Sequence, residues 1–280
     1  MNVDLSLLPV PDLVETLDYE DEYQGILGRF RVAMGDQWSA VLESDPVVKL
    51  LEEVAYERIT MRARINDAAR SVLLASSRGS DLDHVLALLD AKRLDGEGDD
   101  DYRERGRQAP YGYSTAGPLA AYRYHAKSAS SEVLDAFVDR PEPGVVRITV
   151  LSRSGDGVAS PALLAIVRAA LSADDVRPLN DAVLVVSATV VRYVLKARLY
   201  VASGAAPEPL LLAANAAAKA YTAKQFAIGE AVEPSGLYAA LHQPGAARAV
   251  LLSPAGGIPA KLQQAALCTG IELEVVTDYV

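Results

Sequence analysis

The chain has 280 residues, with 27 basic against 37 acidic side chains and a formal net charge of −10. A hydrophobic share of 50% excludes a mainly disordered chain, and the negative balance excludes the basic footprint that nucleic-acid binding needs. A single cysteine, Cys268, excludes intrachain disulfides and cysteine-rich metal sites, while no apolar run reaches the ~18 residues of a membrane span.

The nearest candidate for a span, 182–201, is broken by Arg192, Lys196 and Arg198. The N-terminus lacks the basic start and long apolar run of a signal peptide, so the sequence reads as that of a soluble protein made in the cytosol. Residues 1–44 read as a helical lead-in. Pro9-Val10-Pro11 is extended, and Asp12 or Asp18 opens helices with Leu13, Leu17, Ile26, Leu27, Phe30 and Met34 on the apolar side. The acidic run Asp18, Glu20, Asp21, Glu22 matches no calcium-loop spacing and suits a solvated helix N-terminus.

The stretch 45–79 is the longest helical signal. Asp45 caps it, Pro46 suits the first helical position, and Gly79 suits the residue just past its end. Without an internal Gly or Pro it predicts a rod of roughly 50 Å. Leu51, Val54, Arg58, Met61, Ile65, Ala68, Val72 and Ala75 are spaced alternately three and four apart, which is a heptad-type stripe. The charge in that stripe, Arg58, either fixes register against a partner's carboxylate or carbonyl or snorkels to solvent. A short helix capped at Ser80 and carrying Val85, Leu86, Leu88 and Leu89 is too short to cover the rod. The stripe is therefore expected to stay open in the free chain and to take helices of other subunits.

Residues 95–101, DGEGDDD, break the pattern and read as a domain boundary. The block 102–128 interleaves Arg103, Arg105 and Arg107 with Tyr111, Tyr113, Tyr122 and Tyr124. That mixture occurs in single-strand binders, but the flanking acids cancel the arginines, and packing or interface tyrosines fit better. Ser114 or Thr115 is expected to cap a helix through Ala126. From Val133 the period becomes strand-like: 134–138 and 145–151 form a hairpin with a turn of about four residues. Ser160-Pro161 caps a helix with Leu163, Leu164, Val167, Ala170 and Leu171 on one side. Strands are expected at 182–188 and 189–201, the second with Arg192, Lys196 and Arg198 on a wet or partner-facing side. Pro207 and Pro234 open two further helices, and strands follow at 247–252 and 271–277. Strand–helix–strand units occur twice, which predicts two small α/β sandwiches in series.

No local catalytic constellation is present. Gly155-Asp156-Gly157 and Gly256-Gly257 lack a phosphate-loop lysine or a GxGxxG context, and there is no GxSxG or HExxH. His84, His125 and His242 are widely separated. The residues assign no catalytic, cofactor or metal set, and an enzyme is not expected.

Three blocks carry a resemblance. DPVVKLLEEVAYERITMRARINDAARSVLLASSRGSDLDHV resembles the N-terminal helical part of baseplate J-like proteins of contractile phage tails and phage-tail-like bacteriocins. YRERGRQAPYGYSTAGPLAAYRYHAKS followed by VRITVLSRSGDG resembles that family's most distinctive signature. DVRPLNDAVLVVSATVVRYVLKARLYV is similar to its central α/β region. The resemblance implies a non-enzymatic structural subunit of a virion or bacteriocin baseplate, assembled in the bacterial cytoplasm. It further implies that two copies join one copy of a different tail protein in a wedge. Six wedges close a ring around the hub, touch the sheath initiator, and rearrange when the tail contracts. Neither nucleic acid nor membrane is among the implied partners.

The combined expectation is an α+β chain with a long-helix bundle domain at 1–94 and a linker at 95–110. Two α/β domains follow at 111–188 and 189–280, the last being a dimerisation region. The residues expected to bind partners are Leu51, Val54, Arg58, Met61, Ile65, Ala68 and Val72. The alternative is a ligand-binding or hydrolase accessory protein with a pocket between the α/β domains.

Overall fold

The computed structural model describes residues 5–9, 11–38, 42–114, 117–173, 176–178 and 180–277. The chain mixes helix with small sheets and divides into two compact units, Met1–Arg93 and Leu94–Val280.

The first unit is helical. Helix α1, Tyr19–Met34, starts at Asp18, whose carboxylate accepts from the Asp21 amide at 3.0 Å, with Glu20, Asp21 and Glu22 in its first turn. Helix α2, Pro46–Ser71, starts at Asp45, whose side chain accepts from the Val47 amide at 2.8 Å. The two helices pack as a hairpin through Ile26, Leu27, Leu51 and Ala55, flanked by Tyr23, Phe30, Trp38 and Val47. Ala55 is fully buried, and its methyl group allows the close approach of α1.

α2 is shorter than the 45–79 rod expected from sequence. Its 26 residues span about 39 Å. It stops because serine hydroxyls take over the last-turn carbonyls: Ser71 donates to Ala68 O at 2.9 Å and Ser76 to Arg70 O at 2.7 Å. Val72 is the C-cap, and Ala75 lies in the turn beyond it. Gly79, with φ 51°, opens helix α3, Gly79–Ala87, instead of closing α2. Leu82 and Leu86 of α3 are fully buried.

The second unit begins at Leu94, one residue before the stretch expected as a linker. Helix α4, Asp99–Arg107, follows a turn at Gly96, and Glu97 grips Arg105 with both oxygens at 2.7 Å. That pair is 3% and 6% exposed, while Asp95, Asp100 and Asp101 of the same segment stand exposed. A short helix α5, Ala109–Gly112, leads to α6, Leu119–Ser128. The N-cap of α6 is Pro118; Ser114 lies outside the helix, and Thr115 lies outside the described residues.

Strands β1, Val133–Glu142, and β2, Val145–Ser152, form an antiparallel hairpin through a tight turn at Pro143-Gly144, where Gly144 takes φ 77°. Helix α7, Pro161–Leu171, is capped by Ser160 and crosses to β3, Ala182–Ser187, which lies parallel to β2. Tyr122 and Ala126 of α6 and Leu163, Val167 and Leu171 of α7 close the core on one face of this sheet. After Ala188 comes β4, Thr189–Val201, then α8, Pro207–Lys224, α9, Pro234–Leu241, β5, Ala246–Ser253, and β6, Gln264–Val276. The second sheet runs β5-β4-β6, with β5 antiparallel and β6 parallel to the central strand. Leu195, Ala197 and Leu199 of β4 meet Leu210, Ala214, Ala218 and Leu237 of α8 and α9.

The two sheets pack on each other through Leu151, Ala188, Ile228 and Ala265. Buried Asp135 braces the junction by accepting from the Ile228 amide at 3.1 Å while Arg123 holds its other oxygen at 2.8 Å. These side chains fill part of the junction to which the alternative reading assigned a ligand pocket.

Candidate functional site

α2 carries two apolar stripes roughly a quarter turn apart, and only one is covered. At 3.6 residues per turn, Val48, Leu51, Ala55, Asn66 and Ala69 share one face, and all are buried. Leu50, Val54, Met61, Ile65 and Ala68 share the neighbouring face. Val54, Met61 and Ile65 retain 42%, 67% and 54% of their surface, and Val72 just past the helix retains 69%. Ala68 is also exposed. Large aliphatic side chains are thus held in water in an aligned row along α2.

The residues expected to bind partners therefore separate. Val54, Met61, Ile65, Ala68 and Val72 lie open together. Leu51, 8% exposed, is covered within the chain by α1. Arg58 finds its carboxylate in the same chain: its guanidinium is 3.1 Å from Glu22 Oε1 while half its side chain stays in water. Leu50, at 63% exposure, belongs to the open row and was missed because the heptad frame was set on Leu51. Its position four residues before Val54 was the available signal.

An ionic seam fixes the covered face. The Glu22 carboxylate, 7% exposed, is held by Arg58 and by Arg62 at 2.5 Å, and Arg62 also pairs with Glu15 at 2.7 Å. Asn66 binds the Glu15 peptide on both sides, accepting from its amide at 3.0 Å and donating to its carbonyl at 2.8 Å. Two arginines per buried carboxylate satisfy it without a partner protein. The seam ties the extended lead-in to one side of α2 and leaves the aliphatic row on the other.

The other candidates do not assemble a reactive site. Among the described residues no group of three or more His, Cys, Asp or Glu is placed to hold a metal ion, and no helix is long and apolar enough to cross a membrane. Of the tyrosines in the Arg–Tyr block, Tyr122 and Tyr124 are buried, while Tyr111 and Tyr113 are exposed. Tyr122 donates to Asp181 at 2.9 Å, and burial together with that carboxylate raises its pKa. Arg105 is committed to Glu97, and Arg103 and Arg107 pair with Asp100 and Glu104. A polar hollow beside this pair is lined by Asp95, Asp101, Lys127, Glu132 and Arg153, and burial lowers the pKa of Lys127. On the outer face of the second sheet Lys196 pairs with Glu272 at 2.8 Å, Arg198 with Glu274 at 2.7 Å, and Arg192 with Asp156. The wet side expected there is a ladder of neutralised charges.

Two family models match the chain: the Baseplate J-like N-terminal domain over residues 43–96 and the Baseplate J-like central domain over residues 114–187. The first spans α2 with its open face, together with α3. Baseplate protein J of Escherichia phage P2 is 42% identical over a 300-residue alignment that covers 98% of this chain and 97% of that protein.

Proposed function

The chain belongs to the baseplate J-like family, and from that premise we propose that it is a wedge subunit whose open α2 face packs against helices of other tail proteins. It is a structural protein of a phage tail baseplate and not an enzyme. In the finer reading, two copies and one copy of a different tail protein form a wedge. Six wedges then ring the hub, contact the sheath initiator and rearrange when the tail contracts. Residues 1–94 supply the helical bundle of the wedge, 95–110 connect it to the α/β domain at 111–188, and the second α/β domain at 189–280 pairs to link units.

The observation that carries this reading is the row Val54, Met61, Ile65 and Val72, each more than 40% exposed on an otherwise well-capped helix. Burying such a row against facing helices releases roughly 25 cal/mol for each Å² of apolar surface removed from water, which the free chain forgoes. The test is co-expression with the tail proteins encoded beside it, followed by mass determination in solution. A complex of defined stoichiometry containing this chain supports the wedge; a lone 29.8 kDa species in the presence of those proteins removes it.

A further inference from the structure

The first unit has a second surface feature, on a different side of the helical hairpin from the open row. Helix α1 from Tyr19 to Arg31 and the start of α2 border a cleft of about 410 Å³. Its wall is formed by Tyr19 and Tyr23, whose rings are parallel within 1° with centroids 6.3 Å apart. Leu27 and Val48 lie at its base, and Glu20, Glu43 and Glu52 stand around it.

The cleft lies in the acidic part of the sequence. Residues 1–57 hold 13 acidic and 3 basic side chains, a balance of −10, while residues 58–280 hold 24 of each. The whole net charge therefore resides in the first fifth of the sequence. The cations facing the cleft are Arg31 on its rim and Lys49, whose ammonium is 2.8 Å from Glu52. Against them stand the three rim glutamates and the helix caps Asp18 and Asp45 beside them. Of the rim carboxylates, Glu52 is matched by Lys49, and Glu20 accepts from the Gln24 amide at 2.7 Å. Glu20 has spare lone pairs, and Glu43 has no ion-pair partner among the described residues.

We propose that this cleft docks a basic segment of another protein, with an arginine or lysine side chain entering along the tyrosines. The aliphatic stem lies along Tyr23 toward Leu27 and Val48, the cation meets the face of Tyr19 beside Glu20, and Glu43, farther along the cleft, takes a second basic side chain of the segment. Each element matches one part of such a side chain: apolar base for stem, π-face for cation, carboxylate for donor. Acidic partners and nucleic acids are repelled by the same field, which also speeds encounter with a basic surface at low salt.

The experiment uses the full chain and a fluorescein-labelled hexa-arginine peptide, with hexa-glutamate as control, followed by anisotropy at two salt concentrations. Wild type should bind hexa-arginine in a salt-sensitive way and ignore hexa-glutamate. Glu20→Gln with Glu43→Gln should weaken binding about fivefold or more, in line with two partly exposed charge contacts. Tyr19→Ala should weaken it as well. A charge-matched control, Glu53→Gln with Glu57→Gln on α2, should change it less than about twofold. Circular dichroism confirms that all variants stay helical. Absence of binding by wild type, equal losses from the two glutamate pairs, or an unchanged Tyr19→Ala variant overturns the proposal, the second by showing only a diffuse acidic surface.

Discussion

Replacing Ile65 by Asp tests the open face of α2 most directly. In the free chain Ile65 keeps 54% of its surface in water, so the substitution should change the stability of the isolated protein by no more than about 0.5 kcal/mol. In a complex the remaining half would be buried. Fully burying an isoleucine contributes about 1.5–3 kcal/mol, so about half of that, near 1 kcal/mol, is lost from association. Burying an unpaired carboxylate adds several kcal/mol more. A combined loss of roughly 4 kcal/mol corresponds to about a thousandfold weaker association. Ile65→Ala should lose only the first part, about fivefold. Leu51→Ala supplies the contrast: it is covered by Ile26 and Leu27 within the chain and should cost about 2–4 kcal/mol of folding stability. The assay is co-expression with the neighbouring tail proteins, with sizing for assembly and urea unfolding for stability. An Ile65→Asp protein that assembles at wild-type concentrations would falsify the assignment of this face.

Three further outcomes follow from other parts of the molecule. Single Ala replacements at His84, His125, His242 and Cys268 should leave particle assembly intact, and a loss of assembly at unchanged melting temperature would place a functional site at that residue. Glu97→Ala removes the carboxylate from an arginine that is 3% exposed and should destabilise the second unit by roughly 3 kcal/mol in urea unfolding. Arg147 lowers the pKa of Asp139, with help from Gln263 across the sheet junction, so its contribution is present above the unfolded carboxylate pKa and is lost as pH falls through the folded value. Between neutral pH and about pH 3 the wild type should therefore lose stability more steeply than Asp139→Asn, and superimposable pH profiles would contradict this.

The parts of the fold legible in the sequence were those with local causes. Pro46, Pro161, Pro207 and Pro234 each stand at the start of a helix, and the alternation in 189–201 identifies β4. The end of α2 was misjudged because Gly79 is a stronger textual signal than the serines, yet Ser71 and Ser76 supply the hydrogen bonds that stop the helix. β6 begins at Gln264, seven residues before the clean alternation, because an irregularity near Thr269 and Gly270 interrupts the period without ending the strand. Composition marks the break at 95–101, but it does not reveal that Glu97 reaches Arg105 eight residues on. The covered face of α2 was hidden for a related reason. Its decisive acid, Glu22, lies 36 residues before Arg58 and 40 before Arg62, a separation that no periodicity records. The open row itself was legible as spacing, apart from the assignment of Leu51 in place of Leu50.

The pairing of β4 with β6 has a mechanical consequence. The strands are parallel and matched from Thr189 with Gln264 to Tyr200 with Val276. Tension applied at Thr189, where the chain passes from the first sheet into β4, and at Val276, the far end of β6, pulls the two strands past each other lengthwise. The ladder is then loaded in shear, with its evenly spaced hydrogen bonds sharing the force, instead of being peeled open one bond at a time. Pulled along β4 and β5, by contrast, an antiparallel pair joined at neighbouring ends would unzip. The second sheet thus has a stiff direction and a weak one, set by strand polarity alone, and its load-bearing axis runs from the first sheet toward the end of β6.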